Sequence, residues 1–485
     1  MSIREKCGVL AFIPNRDLSS NYDYLLESCN NTELSILLDV QSMEGIKLEK
    51  DELIIAFAFV ISLKKLNHRG YDGYGYSLLS EGKLISKVFS GKVSLKNLFK
   101  SIVDNLADYS TITYLVGHVR YSTNGSYALL DNQPYQSQVT SYEVGICFNG
   151  NIETRDTSSS NLQNAECRHM LKQIEYIDSS FSLLSLSACI KDNVIGAFST
   201  ILYDEKTLYA FKDNAGVRPL VCISSKNLDI ISSESKIVNE GEFKIDFVKS
   251  SDIYAFEFEK EEAKKFKCRK SILKYITATC ERLCSFESIY FSSEESATIK
   301  GKISDLRVVL GSILAKNEKL LIDDTFIIGY IPSSAKAFGM GYTREFKKEL
   351  SDFVKMSSQY ERSFIKDLHE IKDVLKGKFV IDEESVKGKK VILIDDSIVR
   401  GNTVIFISNK LRKLGAVEVH IRVGSPMIKN ECNLGVNTKN KNLICKDKKI
   451  EKLCEELNVN SISFLEKEEL ISVIGRNSCL KCFVN

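Results

Sequence analysis

The stretch KKVILIDDSIVRGNT, residues 389–403, is the most specific part of this sequence. Its run VILI is typical of a buried β-strand, and two adjacent carboxylates, Asp395 and Asp396, stand at the carboxyl end of that strand. The following SIVRGNT opens a predicted helix, whose first N–H groups lack helical partners and therefore suit a phosphate. Carboxylates beside such a loop suit ribose hydroxyls or Mg²⁺. An Asp pair that only caps a turn is the alternative, and the full stretch makes it the weaker interpretation.

The segments around this stretch predict a parallel sheet. A strand over 325–332, a helix after residue 403 and a strand over 417–423 alternate along the chain, as is typical of α/β domains. The first half, to about residue 255, instead reads as successive short strands with helices outside them, which predicts α+β packing. The lysine-rich segment 259–271 separates the two patterns and is predicted to be the linker.

Length and composition exclude several classes of protein. The length of 485 residues predicts two domains. The formal net charge of +2 is too small to attract nucleic acid or an anionic membrane strongly. The most apolar run, residues 53–63, is shorter than the roughly 20 residues of a membrane-spanning helix. We therefore predict a cytoplasmic protein without nucleic-acid or membrane partners, whose 14 cysteines are mostly reduced.

Residues 391–403 resemble the phosphoribosyl pyrophosphate signature of type I phosphoribosyltransferases. Within them, DDSIVRG resembles the variant of this motif that is found in the amidophosphoribosyltransferase family. The resemblance implies that Asp395 and Asp396 hold ribose hydroxyls and Mg²⁺, with Ser334 as a further Mg²⁺ ligand. It also implies that four consecutive residues hold the 5-phosphate: Arg400, Gly401, Asn402 and Thr403.

Two further segments of the second half resemble the same family. IPSSAKAFGMGYT at 331–343 stands in the place of its pyrophosphate loop, and the segment 360–379 resembles its flexible loop, with Arg362 as a phosphate contact. Ser333 stands where the family has Asp, and Ala335 where it has Gly. Because Gly permits backbone conformations that Ala does not, we expect the Ala to disturb this loop.

The resemblance implies that the first half releases ammonia from glutamine. Such acyl transfer needs a nucleophile, a base, an oxyanion hole and groups that bind the amino-acid end of glutamine. We predict that residues 1–6, MSIREK, form a propeptide and that Cys7 is the nucleophile. Once the propeptide is removed, the α-amine of Cys7 can take the thiol proton, since its unperturbed pKa is about 8. A buried strand residue is the alternative for this cysteine.

Two motifs resemble the part of the family's site that binds the amino-acid end of glutamine. GHVRYSTNGS at 117–126 implies that Arg120 and Thr123 bind glutamine, and the planar guanidinium suits its carboxylate. Asn164, in NAEC, stands where the family has an Asp that binds the amino group. A neutral amide binds an ammonium less well than a carboxylate does, so we expect weaker glutamine binding from this change.

A third motif resembles the oxyanion segment of the family. FNGN at 148–151 implies that the side chain of Asn149 and the N–H of Gly150 hold the developing negative charge. Residues 17–52 have no counterpart in the family's pattern and are predicted to be an insertion after the first strand.

Four cysteines stand where many members of this family bind a [4Fe–4S] cluster: Cys284, Cys432, Cys479 and Cys482. The last two form the pair CLKC, and a single CxxC by itself is equally consistent with a redox motif, half of a zinc site or coincidence. The resemblance implies a structural [4Fe–4S] cluster, and zinc is the second candidate because four thiolates also bind it.

The resemblance predicts an architecture that combines α+β and α/β units. An N-terminal-nucleophile hydrolase αββα sandwich over 7–258 precedes a type I phosphoribosyltransferase parallel-sheet domain over 272–439, and 440–485 form a C-terminal arm. The implied activity is transfer of glutamine-derived ammonia to phosphoribosyl pyrophosphate, giving 5-phosphoribosylamine in purine synthesis. A homotetramer and feedback inhibition by purine nucleotides are also implied. The alternative is a divergent paralogue with weakened catalysis that binds nucleotides or phosphoribosyl compounds and regulates.

Overall fold

The computed structural model divides the chain into two compact units, one ending at Leu283 and the other beginning at Cys284. The structure describes residues 7–15, 22–27, 29–41, 48–106, 110–121, 131–139, 142–153, 165–172, 182–238, 243–260, 266–274, 281–357, 377–432, 434 and 443–483. No helix within these ranges is both long and apolar enough to cross a membrane.

Within the described residues, the first unit contains two antiparallel sheets of seven and six strands. In chain order the strands are β1 (Gly8–Pro14), β2 (Gly73–Ser80), β3 (Lys83–Ser90), β4 (Ile112–Arg120), β5 (Tyr135–Val139), β6 (Tyr142–Ile152), β7 (Gly196–Tyr203), β8 (Thr207–Lys212), β9 (Val221–Ser224), β10 (Leu228–Ser232), β11 (Lys244–Phe247), β12 (Asp252–Lys260) and β13 (Phe266–Lys274). The seven-stranded sheet has the order β11-β9-β10-β1-β4-β2-β3, and the six-stranded sheet has the order β13-β12-β8-β7-β6-β5.

Helices cover the outer face of each sheet in this unit. They are α1 (Asn31–Gln41), α2 (Lys50–Lys65), α3 (Leu95–Val103), α4 (Ala165–Leu171) and α5 (Leu183–Asn193), with short 3-10 helices at Asp23–Leu26 and Ser235–Ile237. Leu10 and Phe12 of β1 pack with α2 and α3, whereas Phe148 of β6 packs with α4 and α5. Val9 and Ala11 of β1 point the opposite way, into the core between the sheets. This alternation produces the αββα sandwich, which confirms the predicted fold.

The edge strand β13 extends the first unit beyond the predicted boundary. Its residues pair with β12 along the whole strand, starting with Phe266 opposite Lys260. The segment 259–271 therefore contains sheet residues rather than a simple linker, although residues 261–265 lie outside the described ranges. Charged side chains suit an edge strand because they discourage pairing with another chain, which explains the lysine-rich composition.

The second unit is built on a four-stranded parallel sheet. In chain order its strands are β14 (Ala297–Thr298), β15 (Gly301–Lys302), β16 (Phe326–Tyr330), β17 (Val354–Met356), β18 (Phe379–Ile381), β19 (Lys390–Asp395), β20 (Glu418–Val423) and β21 (Ser461–Phe464). Its helices are α6 (Ile303–Lys316), α7 (Lys336–Phe346), α8 (Glu383–Val386), α9 (Asn402–Lys413), α10 (Ile450–Leu457) and α11 (Lys467–Ile474), with a π-helical turn at Glu287–Phe291. The parallel sheet has the order β16-β19-β20-β21, as predicted for this half. Ligands of such sheets bind beyond the carboxyl ends of the strands.

The segment 440–485, predicted as a C-terminal arm, contributes a strand to this sheet. β21 pairs in parallel with β20, beginning with Ser461 opposite His420. Leu453 and Leu457 of α10 are fully buried in the core formed with β19 and α9. Apolar side chains at these positions gain stability only by leaving water, so the segment folds onto the sheet.

Candidate active sites of the two units

Strand alternation places the predicted nucleophile on the face of β1 that points between the two sheets. Cys7 directly precedes β1 and lies two residues before Val9, whose side chain is in the core between the sheets. Gly8 pairs with Val119 of β4, so Cys7 and Arg120 are the next residues along the two neighbouring strands. The structure therefore brings the predicted nucleophile and the predicted carboxylate ligand together.

Buried polar contacts hold the backbone at Cys7. Arg69 Nε donates to the Cys7 carbonyl oxygen at 2.8 Å, and Arg69 Nη1 donates to Glu234 Oε1 at 2.5 Å. Val9 N donates to Ser233 Oγ at 3.0 Å. The segments that carry Arg69 and Ser233 therefore fix the start of β1 and, with it, the position of the thiol.

The thiol of Cys7 needs a base. Burial raises the pKa of the thiol above its ordinary value, and this rise is opposed by a hydrogen bond with the Tyr121 backbone and by the charge of Arg120. The thiol is therefore protonated at neutral pH and is a weak nucleophile on its own. His118 does not fit the role of base, because burial lowers its pKa to about 3 and its Nε2 contacts the Phe148 carbonyl oxygen at 3.1 Å.

The predicted oxyanion residues lie on β6. Asn149 is two residues beyond Cys147, which lies in the core between the sheets, so both side chains point into that space. Asn149 is fully buried, and neither of its amide atoms has a hydrogen-bond partner within the described part of the chain. Buried amides normally have partners, so an open donor here suits an oxyanion that forms during a reaction. A Cβ on Gly150 would lie 2.2 Å from the Ala197 carbonyl oxygen, which explains the glycine.

Arg120 contacts a carboxylate and an amide that follow it in the chain. Its Nη2 lies 3.4 Å from Asp131 Oδ2, and its Nη1 lies 3.4 Å from Asn132 Oδ1. Both side chains of the ion pair are largely buried, at 13% and 19% exposed. These contacts hold the guanidinium beside Cys7, where it can receive a carboxylate.

Glu166 is a second carboxylate in this site, and sequence reasoning missed it. It lies in the first turn of α4, within electrostatic reach of Arg120, Asp131 and Cys7. Burial raises the pKa of Glu166 to about 7, against a hydrogen bond with the Ile152 backbone and attraction to Arg120. The only sequence feature that could have marked Glu166 as a site residue is that it is the acidic residue of the NAEC segment.

Several predicted residues lie outside the described ranges. They are the substrate ligands Thr123, Asn164 and Arg362 and the propeptide residues 1–6. Their roles stay predictions.

In the second unit, Asp395 and Asp396 stand at the carboxyl end of β19, as predicted. Both are buried, at 7% and 6% exposed. Burial and the charge of Asp396 raise the pKa of Asp395, while the Asp396 N–H donates to Asp395 Oδ1 at 3.0 Å. Two adjacent buried carboxylates carry negative charge that must be compensated, and a hard cation such as Mg²⁺ or the hydroxyls of a ribose can compensate it.

Ser334 contacts this carboxylate pair, and Ala335 fits without strain. Ser334 Oγ donates to the Asp396 carboxylate, and Ser397 Oγ donates to Asp396 Oδ1 at 2.7 Å. Ala335 has φ −84° and ψ −5° at the start of α7. Ala335 therefore uses ordinary right-handed geometry that does not require Gly, and its effect on the loop's function stays a prediction.

A left-handed glycine opens the predicted phosphate loop. Gly401 has φ +74° and directly precedes α9, whose first residues are Asn402 and Thr403. A Cβ at Gly401 would also lie 2.6 Å from Ile444 Cδ1, so conformation and packing both require glycine. Together with Arg400, these residues stand at the N-terminus of a 12-residue helix, where the first N–H groups have no helical partners, an arrangement that suits a phosphate.

Lys378 is a positive charge near the carboxylate pair that sequence reasoning missed. Burial lowers its pKa, whereas Asp395 and Asp396, which lie within electrostatic reach, raise it. Its carbonyl oxygen accepts a hydrogen bond from Ser357 N at 2.9 Å, at the end of the β17-β18 pair. Its position near the end of the segment 360–379, which resembles the family's flexible loop, was the one sequence feature that could have marked Lys378 as a site residue.

The four predicted cluster cysteines lie together in the second unit. Cys284 pairs with Cys479 in an isolated β-bridge. A hydrogen bond with Cys432, burial and the nearby Cys284 and Cys479 raise the pKa of Cys482. Within the described residues, however, no group of three or more His, Cys, Asp or Glu side chains has an arrangement that could hold a metal ion. The four thiols are therefore neighbours that do not form a closed ligand set.

The chain is similar to known proteins along most of its length. Residues 118–240 match the glutamine amidotransferase domain family. The curated amidophosphoribosyltransferase of Methanocaldococcus jannaschii is 29% identical over 466 residues, which cover 89% of this chain and 94% of that protein. The curated amidophosphoribosyltransferase of Rattus norvegicus is 26% identical over 455 residues, covering 87% of this chain and 86% of that protein.

A solved structure shows the same fold. The glutamine phosphoribosylpyrophosphate amidotransferase from B. subtilis, complexed with ADP and GMP, matches with a TM-score of 0.74 and 22% sequence identity. The match covers 99% of this chain and 96% of that one. The chain is thus similar to amidophosphoribosyltransferases over most of its length, and its first unit contains the match to the glutamine amidotransferase domain.

Proposed function

We propose that this chain is an amidophosphoribosyltransferase, which transfers ammonia from glutamine to phosphoribosyl pyrophosphate and yields 5-phosphoribosylamine, the first step of purine (IMP) synthesis. The observation that supports this most strongly is the buried pair Asp395 and Asp396 beside the Gly401 loop, at the carboxyl edge of a parallel sheet. The same chain carries Cys7 beside Arg120 in a glutamine amidotransferase fold.

In the first unit, the thiol of Cys7 attacks the carboxamide carbon of glutamine. After loss of residues 1–6, the α-amine of Cys7 takes the thiol proton and passes it to the departing ammonia. The Asn149 amide and the Gly150 N–H stabilise the oxyanion of the tetrahedral intermediate. The resulting thioester is then hydrolysed by water, which releases glutamate and restores the thiol. Arg120 binds the substrate carboxylate, with Thr123 as a further predicted ligand.

In the second unit, ammonia attacks C1 of phosphoribosyl pyrophosphate and pyrophosphate leaves. Asp395 and Asp396 accept hydrogen bonds from the ribose hydroxyls, and Arg400 to Thr403 hold the 5-phosphate. Arg362 is a predicted phosphate contact. The oxygen donors of Ser334 and the carboxylate pair fit Mg²⁺, which would neutralise charge on the leaving pyrophosphate.

A [4Fe–4S] cluster held by the cysteines at 284, 432, 479 and 482 is part of the proposal. The four thiols are neighbours, which supports this proposal even though they do not form a closed ligand set in the structure. The role of the cluster would be structural, and zinc is the second candidate. Protein purified without air should contain iron and acid-labile sulfide and be brown. Cys482→Ser should remove both, whereas Cys454→Ser, elsewhere in the same unit, should retain them. Zinc without sulfide would contradict the cluster.

A homotetramer, inhibition by purine nucleotides and a cytoplasmic location also belong to the proposal. Sedimentation, activity in the presence of AMP or GMP, and cell fractionation test them in turn. A monomer, insensitivity to nucleotides or an organelle location would contradict the respective point.

The activity is tested with protein whose first residue is shown by mass spectrometry to be Cys7. Pyrophosphate release from phosphoribosyl pyrophosphate is measured with glutamine or with ammonium salts. Cys7→Ala should abolish the glutamine-dependent reaction and keep the ammonia-dependent one, and Asp395→Asn should abolish both. If trimmed wild-type protein supports neither reaction, the enzyme proposal fails and the regulatory alternative stands. If Met1 or Ser2 is the first residue of the native protein, the proposed base is absent.

A further inference from the structure

The backbone just before the proposed oxyanion residues is held by side chains on one of its two sides. On the first side, β6 pairs with β7, and Phe148 lies opposite Thr200. On the second side, the pairing of β6 with β5 extends only to Ile146, which lies opposite Tyr135. Within the described residues, β6 therefore has no neighbouring strand on that side beyond Ile146. Buried backbone groups at such a place need other hydrogen-bond partners.

Two buried side chains are these partners at Phe148. Gln133 Oε1 accepts a hydrogen bond from Phe148 N at 2.7 Å, and His118 Nε2 lies 3.1 Å from the Phe148 carbonyl oxygen. A carbonyl oxygen can only accept, so His118 Nε2 carries the proton and donates. Burial lowers the pKa of His118 to about 3, so its ring is neutral at neutral pH. The two side chains thus take the place of a strand beside Phe148.

The bonds at Phe148 indicate where the next N–H on the same side of β6 points. Successive residues of a strand direct their backbone groups to alternate sides, so the N–H of Gly150 points to the same side as that of Phe148, away from β7. Phe198 of β7, which lies opposite Gly150, donates its own N–H to Asp213 Oδ2 at 2.9 Å. Its carbonyl oxygen accepts from Asp213 N at 2.9 Å, so its backbone groups also point away from β6. The orientation of Gly150 N–H therefore depends on how Phe148 is held.

We propose that Gln133 and His118 are positioning residues of the glutaminase reaction, which act by holding the backbone of Phe148. Held in this way, β6 keeps the Asn149 amide and the Gly150 N–H aimed at the developing oxyanion. Such donors are most effective when they are already oriented, because no reorganisation is then needed as the charge forms. The inference rests on the proposed glutaminase activity and gives His118, which does not fit the role of base, a different role in the same site.

The test measures kcat and KM for glutamine hydrolysis by trimmed protein. Gln133→Leu removes the acceptor for Phe148 N, and His118→Leu removes the donor to the Phe148 carbonyl oxygen. Each should lower kcat about 10–100-fold, with KM changed less than about 3-fold, because misplaced donors lose part of the roughly 100–1000-fold that an oxyanion donor contributes. His118→Gln, whose Nε2 can still donate, should recover most of the loss. The ammonia-dependent reaction of the second unit should stay at the wild-type rate in all three variants.

A double-mutant cycle distinguishes positioning from a general structural effect. With Asn149→Ala already present, part of what Gln133 positions is gone, so Gln133→Leu should lower kcat by a much smaller factor than it does in wild type. Gln136→Leu is the matched control, since Gln136 lies on β5 opposite Gly145, away from the oxyanion segment. This control should keep the wild-type kcat.

Urea denaturation identifies variants that do not fold. If Gln133→Leu is one of them, the shorter side chain of Gln133→Asn replaces it, with the same expected direction. The inference is overturned by a wild-type kcat in folded variants of both residues, by failure of His118→Gln to recover activity, or by equal factors in the two backgrounds of the cycle. Each of these results leaves the proposed function intact. Absence of glutamine hydrolysis in trimmed wild type overturns the proposed function itself.

Discussion

Arg69, a fully buried residue, donates a hydrogen bond from its Nε to the carbonyl oxygen of Cys7 at 2.8 Å. Its Nη1 pairs with the buried carboxylate of Glu234 at 2.5 Å. A single side chain therefore fixes the backbone of the proposed nucleophile and compensates a buried charge.

Replacement of Arg69 should destabilise the first unit. Arg69→Met leaves the carboxylate of Glu234 buried without its strongest partner, so we expect a loss of about 3–5 kcal/mol in the free energy of unfolding. Lys64→Met is the control, because the Lys64–Glu33 ion pair is partly exposed and should contribute less than about 1 kcal/mol. Urea denaturation measures both. Equal effects of the two variants would contradict the importance assigned to the buried contact.

Loss of the Asn149 amide should affect catalysis more than binding. Asn149→Ala removes a donor of the proposed oxyanion hole, so kcat for glutamine hydrolysis should fall about 100–1000-fold with little change in KM. The ammonia-dependent reaction of the second unit should stay at the wild-type rate. Asn193→Ala, at the exposed end of α5, should behave as wild type. A rise in KM without a fall in kcat would rule out the assigned role.

Gly401 should tolerate no side chain. Gly401→Ala introduces a left-handed alanine, at about 1–2 kcal/mol, and a clash with Ile444. We expect a clear drop in the urea midpoint and a KM for phosphoribosyl pyrophosphate at least about 10-fold higher, equivalent to ~1.4 kcal/mol. Gly388→Ala is the matched control, since Gly388 has φ +73° but an alanine methyl there would meet nothing within 4 Å. Similar results for the two variants would show that packing at Gly401 is unimportant.

The second unit should lose stability at acid pH, because Glu318 becomes protonated there. Arg422 donates to it from Nε at 2.5 Å and from Nη2 at 2.9 Å. Burial alone would raise the pKa of Glu318, but the hydrogen bonds and charge of Arg422 lower it from 4.5 to about 2. A lowered folded-state pKa gives stability that is present above pH ~4.5 and is lost as the pH falls toward ~2, up to about 3 kcal/mol.

The measurement is the difference in unfolding free energy between wild type and Glu318→Gln as a function of pH. That difference should be largest at neutral pH and should shrink between pH ~4.5 and ~2. Glu468→Gln is the control, since Glu468 is 75% exposed in its ion pair with Lys467 and should differ little from wild type at any pH. A pH-independent difference for Glu318→Gln would refute the assignment.

Much of both candidate sites could be predicted from sequence, because the relevant residues are close together in the chain. The pair Asp395 and Asp396 follows a run of four apolar residues, and Gly401 follows within the same turn, so local geometry decides their placement. Period-two alternation likewise puts Asn149 on the same face of its strand as Cys147.

Other features could not be predicted, because they depend on contacts between distant segments. The strands β13 and β21 form only where a neighbouring strand supplies hydrogen bonds, which lysine-rich composition did not indicate. The right-handed backbone angles of Ala335 follow from how the turn joins β16 to α7, which the sequence did not indicate. Glu166 and Lys378 carry charges whose importance appears only when the fold brings them beside Arg120 and the carboxylate pair.

The sequence by itself predicted the two fold classes, since strand periodicity acts over a few residues. Its resemblance to a known family, rather than periodicity, led to the proposal of Cys7 as the nucleophile and of residues 400–403 as the phosphate loop. Only the tertiary structure decided which charges surround those groups. Electrostatic interactions and burial act through space, so the raised pKa of the Glu166 carboxyl depends on burial and on neighbours such as Arg120 and Asp131 that lie far from it in the chain.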